Sequence, residues 1–356
     1  MKALESSIVA RAITLGYANA RVKAMKQGLL SQKETQALAE AAGMEELYSL
    51  LERTQYRQDL VSSALREKTL ADQMELACTR NFSRTLAKIL KFSPKKIREK
   101  ITGMFEKYEV NNIKTVLISK HLGEPKERVN HLLVETGILS RAATAKMLDA
   151  KGLKEAVAAL SGTIYGTVLE KSMKKYDKEK DIAILLACLD DYYYRKLPHI
   201  AKNPYGDEKI ILGMLKAQVD AKNISNVLRG KKEGHKEEKI AETIIPGGNI
   251  GKDRLTQAAA SKSAEDAAKV FEKDFRLGKA IEAFRNSGSL IPIEVEVEKS
   301  IAKRGLGLLR ASVLSIGAIA GFLFLKEEEA SNIRKILRAK EFNLPAEKIR
   351  EMIVEY

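Results

Sequence analysis

One short pattern, present three times, combines the residue types of an acid–base site. Each copy places an acidic residue, an asparagine and a lysine at the same spacing on an apolar background. The copies are EVNNIKTVLISKHLG (residues 109–123), DAKNISNVLRGKKEG (residues 220–234) and EASNIRKILRAKEFN (residues 329–343). A single copy could be interpreted as a basic site with an amide and an amine in catalytic roles. Three copies at intervals of about 110 residues indicate instead a repeat that sets the architecture, with units far longer than those of solenoid proteins.

The asparagine and the lysine of each copy are the candidate site residues, either structural or at an interface. They are Asn112 and Lys120, Asn223 and Lys231, and Asn332 and Lys340. On a helix, Ile113, Val116 and Leu117 form one apolar face. Glu109 and Lys120 would lie roughly 16 Å apart along the helix axis, so they cannot pair with each other.

A buried asparagine costs free energy unless its amide is satisfied. Its recurrence at one position therefore predicts a fixed internal network, in which the acid, the asparagine and the lysine bond to neighbouring helices of the same unit. The alternative is that Lys120, Lys231 and Lys340 line a surface that meets a partner.

The end of each copy predicts where the motif helix stops. Gly123, Gly234 and Asn343 are residue types that accept the left-handed conformation at a helix C-terminus. Pro125 and Pro345 then stand where the first turn of a second, shorter helix is expected.

The sequence predicts an all-α protein with an N-terminal helix at 1–29 and three similar helical units at 30–138, 139–249 and 250–356. Ala, Leu, Lys, Glu and Ile dominate, which is a helix-forming composition. The alternating run Ile291–Glu298 occupies a helical position of the repeat, so it is predicted to be helix rather than strand. Cys78 and Cys188 fall at matching positions of two units, which favours buried free thiols over a disulfide.

Other candidate chemistry is weak. His121, His131, His199 and His235 have no metal-ligand spacing. IPGGNIGKD (residues 245–253) lacks the first glycine and the Ser or Thr of a phosphate-binding loop. DDYYYRKL (residues 190–197) could form an acid–base site, but at helical spacing it more often forms one polar and one packed face. The sequence predicts no catalytic residue, no cofactor and no metal site.

The formal net charge of +15 has two interpretations. It is a solvated, lysine-rich surface, or it meets a polyanion or an anionic membrane. The apolar run Ala311–Leu325 is shorter than the roughly 20 residues of a spanning helix and is predicted to be a buried core helix. No signal peptide is visible. Arg21, Lys23 and Lys26 are candidates for contact with a partner.

Several stretches carry a family likeness. They are YANARVKAMKQGLL (residues 17–30), LLERTQY (50–56), LACLDDYYYRKL (186–197), SIGAIAGFL (315–323) and NIRKILRAKEFNLPAEKIREMI (332–353). Together they make the chain resemble the C-type subunit of archaeal A-type (V/A-type) rotary ATP synthases, which is related to the d-type subunit of eukaryotic vacuolar ATPases. Two positions depart from the pattern: Gly321 stands where an aromatic is frequent, and Ser225 replaces the base found in the other copies as Lys114 and Arg334.

The resemblance implies a function. Proteins of this family are all-helical funnels with three units about a pseudo-threefold axis and a central cavity. It implies a non-catalytic rotor subunit at the cytoplasmic face of the cell membrane. The partners implied are central-stalk subunits of the D and F type and the membrane proteolipid ring, with no nucleic acid. The alternative function is a basic helical scaffold or nucleic-acid-binding protein.

Overall fold

A computed structural model describes residues 15–65, 67, 69–130, 132–200 and 207–356. Within these ranges every regular element is helical and no strand occurs, so the all-α prediction is confirmed. The described residues group into two compact units, divided after Gln55 and again after Ile200. Each is considered by itself below, and the repeat boundaries at 30, 139 and 250 stay a sequence-based prediction.

The helices up to the first motif are short except for the last two. They are α1 (15–25, followed by a 3₁₀ turn at Lys26–Gly28), α2 (Gln32–Glu40), α3 (Met44–Glu52), α4 (Arg57–Ala64), α5 (Leu70–Phe92) and α6 (Lys95–Leu122). The first copy of the motif lies in α6. The predicted helix over residues 1–29 is therefore present from residue 15, and residues 1–14 lie outside the described residues.

A similar order recurs along the rest of the chain, with one helix more in residues 250–356. The next helices are α7 (Glu127–Asn130), α8 (Arg141–Asp149), α9 (Leu153–Ala158), α10 (Ile164–Glu179), α11 (Ala183–Ile200), α12 (Asp207–Lys232) and α13 (Glu237–Ala241). The last are α14 (Lys252–Ala260), α15 (Ala264–Val270), α16 (Glu272–Phe275), α17 (Gly278–Ser287), α18 (Ile291–Ala311), α19 (Gly317–Glu341) and α20 (Ala346–Met352). Helices α12 and α19 hold the second and third copies of the motif.

The three motif helices end in the same way. Gly123, Gly234 and Asn343 have φ values of 71°, 72° and 54°, in the left-handed region, as predicted. After each of them a backbone N–H reaches back five residues: Glu124 to Ser119, His235 to Gly230 and Leu344 to Ala339. These bonds satisfy carbonyls that the helix end would otherwise leave without partners.

The apolar face of each motif helix is buried. In the second copy, Ile224, Val227 and Leu228 share one buried cluster with Leu255 and Ala258 of α14. The predicted periodicity therefore marks the core correctly. The short helices α7, α13 and α20 that follow the motifs also appear as predicted.

Helices α18 and α19 approach closely through two glycines. The run Ile291–Glu298 is the start of α18, so the helical interpretation is confirmed. A Cβ on Gly321 would meet the Gly305 carbonyl oxygen and would lie 2.8 Å from the Leu309 backbone nitrogen. Gly321 thus allows backbone-to-backbone packing here.

One prediction about this region is wrong. The apolar run Ala311–Leu325 is not a single buried helix, because α18 ends at Ala311 and α19 begins only at Gly317. Between them Val313 and Leu314 are 67% and 42% exposed. The buried Asn19 amide of α1 donates to the carbonyls of Val313 (2.7 Å) and Ser315 (3.0 Å). These bonds stabilise the turn in place of a continuous helix.

The glycine contact gives a stability prediction. We expect Gly321→Ala to lower the free energy of unfolding by roughly 1–3 kcal/mol or more, because backbone cannot yield to the new methyl group as a side chain can. Gly307→Ala is the matched control on α18, since a Cβ there would meet nothing within 4 Å. It should stabilise by about 0.5–1 kcal/mol. Chemical denaturation of both variants measures the difference, and equal stabilities would contradict the close contact.

Candidate functional site: the junctions made by the repeated motif

The motif asparagines make one two-way hydrogen bond in all three copies. The Asn112 Nδ2 donates to the Val134 carbonyl (2.7 Å), and the Val134 N–H donates to Asn112 Oδ1 (2.9 Å). Asn223 makes the same pair with Ile245 (2.8 and 2.8 Å), and Asn332 with Val354 (2.9 and 2.9 Å). Each amide therefore holds the extended segment that follows the short helix of its own unit, as the sequence predicts for an internal network.

The motif acids bind the chain just before the next helical unit begins. The Glu109 carboxylate accepts from the Leu139 N–H (3.2 Å) and from the Thr136 hydroxyl. Asp220 accepts from the Ile250 N–H (3.0 Å), and Glu329 accepts from the Leu30 N–H. Leu139, Ile250 and Leu30 each stand two residues before a helix, namely α8, α14 and α2. The third acid thus binds the start of the first unit.

The motif lysines bind the other end of the same three helices. Lys120 Nζ donates to the Leu148 carbonyl of α8 (2.6 Å), and Lys231 Nζ to the Ala259 carbonyl of α14 (3.0 Å). Lys340 Nζ donates to the carbonyl of Ala41, which caps α2. An ammonium at a helix C-terminus satisfies a carbonyl without an intrahelical partner and complements the helix dipole.

The spacing within the motif now has a physical cause. The acid and the lysine lie roughly 16 Å apart on the motif helix. Helices α2, α8 and α14 each have nine residues, about 14 Å of helix. One motif helix therefore holds the next unit's first helix at both ends, with the acid at its N-terminal side and the lysine at its C-terminus.

These contacts correct one expectation and leave another untested. The acids and lysines were expected to bond within their own predicted unit, and they do so in part. Glu109 accepts from Thr136, and Asp220 accepts from the Asn249 side chain (2.8 Å), whereas Lys120 and Lys231 bind carbonyls of the next predicted unit. The order of contacts is cyclic: the first copy binds the second unit, the second copy binds the third, and the third copy binds the first. The interface role of the six asparagines and lysines stays a prediction, although all three ammonium groups are already bound to carbonyls.

A buried carboxylate one turn before the first motif ties α6 to the following unit. Glu106, whose side chain is 5% exposed, accepts from the hydroxyls of Tyr165 (3.0 Å) and Tyr192 (2.9 Å) and from Lys196 Nζ (2.6 Å). Burial raises the pKa of Tyr165, and the neighbouring Glu106 charge raises it further. Burial opposes the charge of Lys196, but its hydrogen bonds to Glu106 and Tyr192 prevail and raise its pKa.

The stretch DDYYYRKL is thus a packing network. Asp190 pairs with Lys114 (2.7 Å), Asp191 pairs with Arg195 (2.6 Å), and the Tyr193 hydroxyl donates to the Met104 carbonyl (3.2 Å). These polar groups have partners within the chain, and the network holds α11 on α6. Among the described residues, no group of three or more His, Cys, Asp or Glu side chains could hold a metal ion.

The residue type at the position of Glu106 differs between the copies. Alanine (Ala217) takes this place in the second copy and lysine (Lys326) in the third. Lys326 is fully buried and lies 2.5 Å from Glu329 Oε1, so the acid that binds the first unit is also half of a buried ion pair. The second copy uses Ser225 and Arg229 instead, each 2.8 Å from Glu294 of α18.

The other candidate residues lie apart from the motif. Arg21 and Lys23 are half-buried on α1, and Lys26 is half-buried in the turn after it. The Arg21 guanidinium donates to the Tyr17 hydroxyl (2.7 Å) and stacks on that ring. The free thiols behave as expected only in part, since Cys78 is buried and Cys188 is half-buried. Sequence reasoning missed Glu106 and the role of Lys326, because their equivalence appears only once the motif helix is extended one turn towards its N-terminus.

The described part of the chain is all-helical, and three copies of one motif link its helices. A family model described as "ATP synthase (C/AC39) subunit" matches residues 18–352. The chain belongs to this family of ATP synthase subunits. The large share of the chain that is matched extends the resemblance seen in its separate stretches.

Named relatives are similar over nearly the whole length. The C subunit of the A-type ATP synthase of Methanococcoides burtonii is 29% identical over 95% of this chain and 93% of its own. That of Pyrococcus furiosus is 28% identical over 98% and 92%, and that of Methanocaldococcus jannaschii is 25% identical over 95% and 86%. None of the helices in the described ranges has both the length and the apolar character needed to cross a membrane.

The asparagine pair gives a second stability prediction. We expect Asn112→Ala to lower the free energy of unfolding by roughly 2–4 kcal/mol, since each backbone group of Val134 left buried without a partner costs about 1–3 kcal/mol. Asn111→Ala is the matched control, because Asn111 is the exposed neighbour on the same helix. Denaturant titration measures both, and a loss of similar size in the control would contradict the assigned role.

The Glu106 network gives a prediction of pH dependence. Folded Tyr165 stays protonated because its pKa is raised, whereas the unfolded residue ionises near its ordinary value of 10.0. The stability from Tyr165 is therefore complete below about pH 10 and is lost as the pH rises above it. Tyr165→Phe should cost about 1.5–3 kcal/mol at neutral pH, the value of a hydrogen bond to a charged group.

The measurement is denaturation of the wild type and Tyr165→Phe on both sides of pH 10. The difference between them should shrink on the alkaline side, because phenylalanine has no proton to lose. Tyr17→Phe, at a 56% exposed position, serves as the control with little change expected. If the difference in stability between wild type and Tyr165→Phe grew with pH, the predicted direction of the pH dependence would be wrong.

Proposed function

We propose that this chain is a non-catalytic rotor subunit of an A-type ATP synthase, a socket that couples the central stalk to the membrane proteolipid ring. Membership of the ATP synthase (C/AC39) subunit family supports the complex to which it belongs. The cyclic order of the motif contacts is the observation that supports the socket. The chemistry of the junctions, in which charged groups are used to hold helices, supports a structural role.

The arrangement proposed is three helical units about a pseudo-threefold axis, forming a funnel with a central cavity. In this arrangement each unit binds the next unit through its motif helix and is itself bound at its first helix. The two contacting surfaces of a unit are therefore different. Such head-to-tail contacts generate either an open helix or a closed ring. The bond from Glu329 to the Leu30 N–H and that from Lys340 to the Ala41 carbonyl favour closure, because they return the third copy to the first unit.

A socket of this kind transmits torque by resisting deformation. Each junction combines an apolar face, two backbone hydrogen bonds from one asparagine and a helix held at both ends. Close-packed cores and satisfied polar networks move as rigid pieces rather than yielding gradually. The partners proposed are central-stalk subunits of the D and F type inside the cavity and the proteolipid ring at the cytoplasmic face of the membrane, with no cofactor.

The direct test is reconstitution. Membranes that carry the proteolipid ring but are stripped of this protein and of the central stalk should bind the added chain and then the stalk. ATP-driven ion pumping should return once the catalytic sector is added, and the chain alone should hydrolyse no ATP. A chain that binds neither the ring nor the stalk would overturn the proposal.

Lys340→Met tests whether the third junction matters to this function. It removes the bond to Ala41 at the one junction not supported by a peptide linkage between adjacent units. We expect pumping per ATP hydrolysed to fall, because an opened ring no longer holds the stalk. Lys348→Met is the control, since Lys348 pairs on the surface with Glu351 (2.9 Å) and should leave coupling unchanged. Equal coupling in both variants would argue against a closed ring.

A further inference from the structure

A cleft of about 840 Å³ lies between α5 and α8. All its residues belong to the compact unit that spans residues 56–200. Helix α5 lines it from Leu76 to Leu90, and α8 lines it from Arg141 to Leu148. The chain between α7 and α8 and parts of α4 and α6 complete the lining. Because Leu76 and Leu90 lie about 21 Å apart on their helix, the cleft follows α5 for about four turns.

Leucine side chains line this cleft on three of its elements. They are Leu76 and Leu90 on α5, Leu133 and Leu139 on the chain before α8, and Leu148 on α8. Leu76 is buried, and the other four are half-buried. Water therefore still reaches apolar surface inside a concave site, and covering that surface is favourable.

Basic side chains accompany the cleft along α5. Arg80, Arg84, Lys88 and Lys91 follow one another at intervals of four, four and three residues, so they share one face of the helix. Arg80 and Arg84 line the cleft itself. No acidic residue occurs between Leu76 and Arg98. Like charges at this spacing oppose helix formation, so the stability of α5 does not account for them.

The acids of the lining are bonded to groups of the protein. Asp59 is buried and is bound by Arg84 (2.6 Å) and Asn81 (2.8 Å). Glu109 is buried and accepts from the Leu139 N–H. Glu135 is paired with Arg141 (3.0 Å), and both side chains are exposed at the rim. The α5 wall thus presents an excess of positive charge to an incoming group.

We propose that this cleft binds an acidic amphipathic helix of a partner protein. The leucines receive the apolar face of that helix, and its carboxylates pair with Arg80, Lys88 and Lys91. Docking of an amphipathic helix in a groove is a recurring mode of recognition, with apolar anchors one turn apart. A small anion or a nucleic acid would use the cations and leave the leucines uncovered. The inference goes beyond the proposed function and does not depend on how the three units are arranged.

The first test uses the full chain and a fluorescein-labelled peptide of about 14 residues, the length of the α5 wall. The peptide carries leucine on one helical face and glutamate on the others. Fluorescence anisotropy should show binding to wild type, and a second peptide with serine in place of leucine should not bind. Equal binding of the two peptides would reduce the effect to charge and overturn the proposal, as would absence of binding to wild type.

Ala145 allows the sign of the charge to be tested at one exposed position of the cleft. Ala145→Glu should weaken binding of the acidic peptide about fivefold, and Ala145→Lys should strengthen it by a similar factor, as for one exposed ion pair. Ala142→Glu is the matched control, because Ala142 is exposed on the same helix but lies outside the lining. It should leave binding unchanged. Equal weakening by the two glutamates would reduce the effect to net charge and overturn the assignment.

A photo-crosslink tests the natural partner. A benzophenone side chain at Ala145, in the assembled ATP synthase complex, should crosslink to an acidic helical segment of another subunit, and the same group at Ala142 should not. Absence of a protein crosslink at Ala145 would overturn the proposal. Displacement of the peptide from wild type by phosphatidylglycerol vesicles would assign the cleft to lipid and also overturn it. Failure of the chain to bind ring or stalk would count against the proposed function alone, since peptide binding is measured without them.

Discussion

The structure depends on a match between two lengths: the spacing of the acid and the lysine on the motif helix, and the length of the helix that they hold. An acid and a lysine eleven residues apart on the motif helix face the two ends of a nine-residue helix in the next unit. The carboxylate accepts a hydrogen bond from a backbone N–H just before that helix begins, and the ammonium donates one to a carbonyl where the helix ends. Both ends of a helix carry polar groups without intrahelical partners. The motif supplies a charge of the correct sign at each end.

The same match explains why the junctions tolerate change elsewhere. The acid, the asparagine and the lysine bind backbone groups, which every residue type provides. The identity of the residues they hold is therefore free to drift, as Leu148, Ala259 and Ala41 show at one equivalent position. In contrast, the position one turn before the motif binds side chains. This position holds Glu106, Ala217 and Lys326 in the three copies, and Lys326 pairs with Glu329 of its own helix.

How much could be predicted from the sequence follows from this distinction. Helix periodicity, the left-handed residues at helix ends and the buried asparagine are local signals, and each was predicted from residue types and spacing alone. The partners of Glu109 and Lys120 were not, because a backbone carbonyl or N–H leaves no trace in the residue type that bears it. The turn at Val313 was also missed, since a run whose only polar residues are Ser312 and Ser315 does not reveal a break that depends on Asn19 from a distant part of the chain.

A polar junction also fixes the register of two helices, which an apolar junction does not. If two apolar helix faces slide past each other by a small distance, they keep almost the same hydrophobic free energy. That free energy depends on the apolar area removed from water and not on the register of the two helices. A helix held at both ends, with an asparagine bonded twice to the adjacent segment, loses several hydrogen bonds at once if it shifts by one residue. Buried groups left without partners make that shift costly. The apolar face of Ile224, Val227 and Leu228 supplies adhesion, and the acid, asparagine and lysine fix the register. The proposed torque-carrying role would need the second property as much as the first.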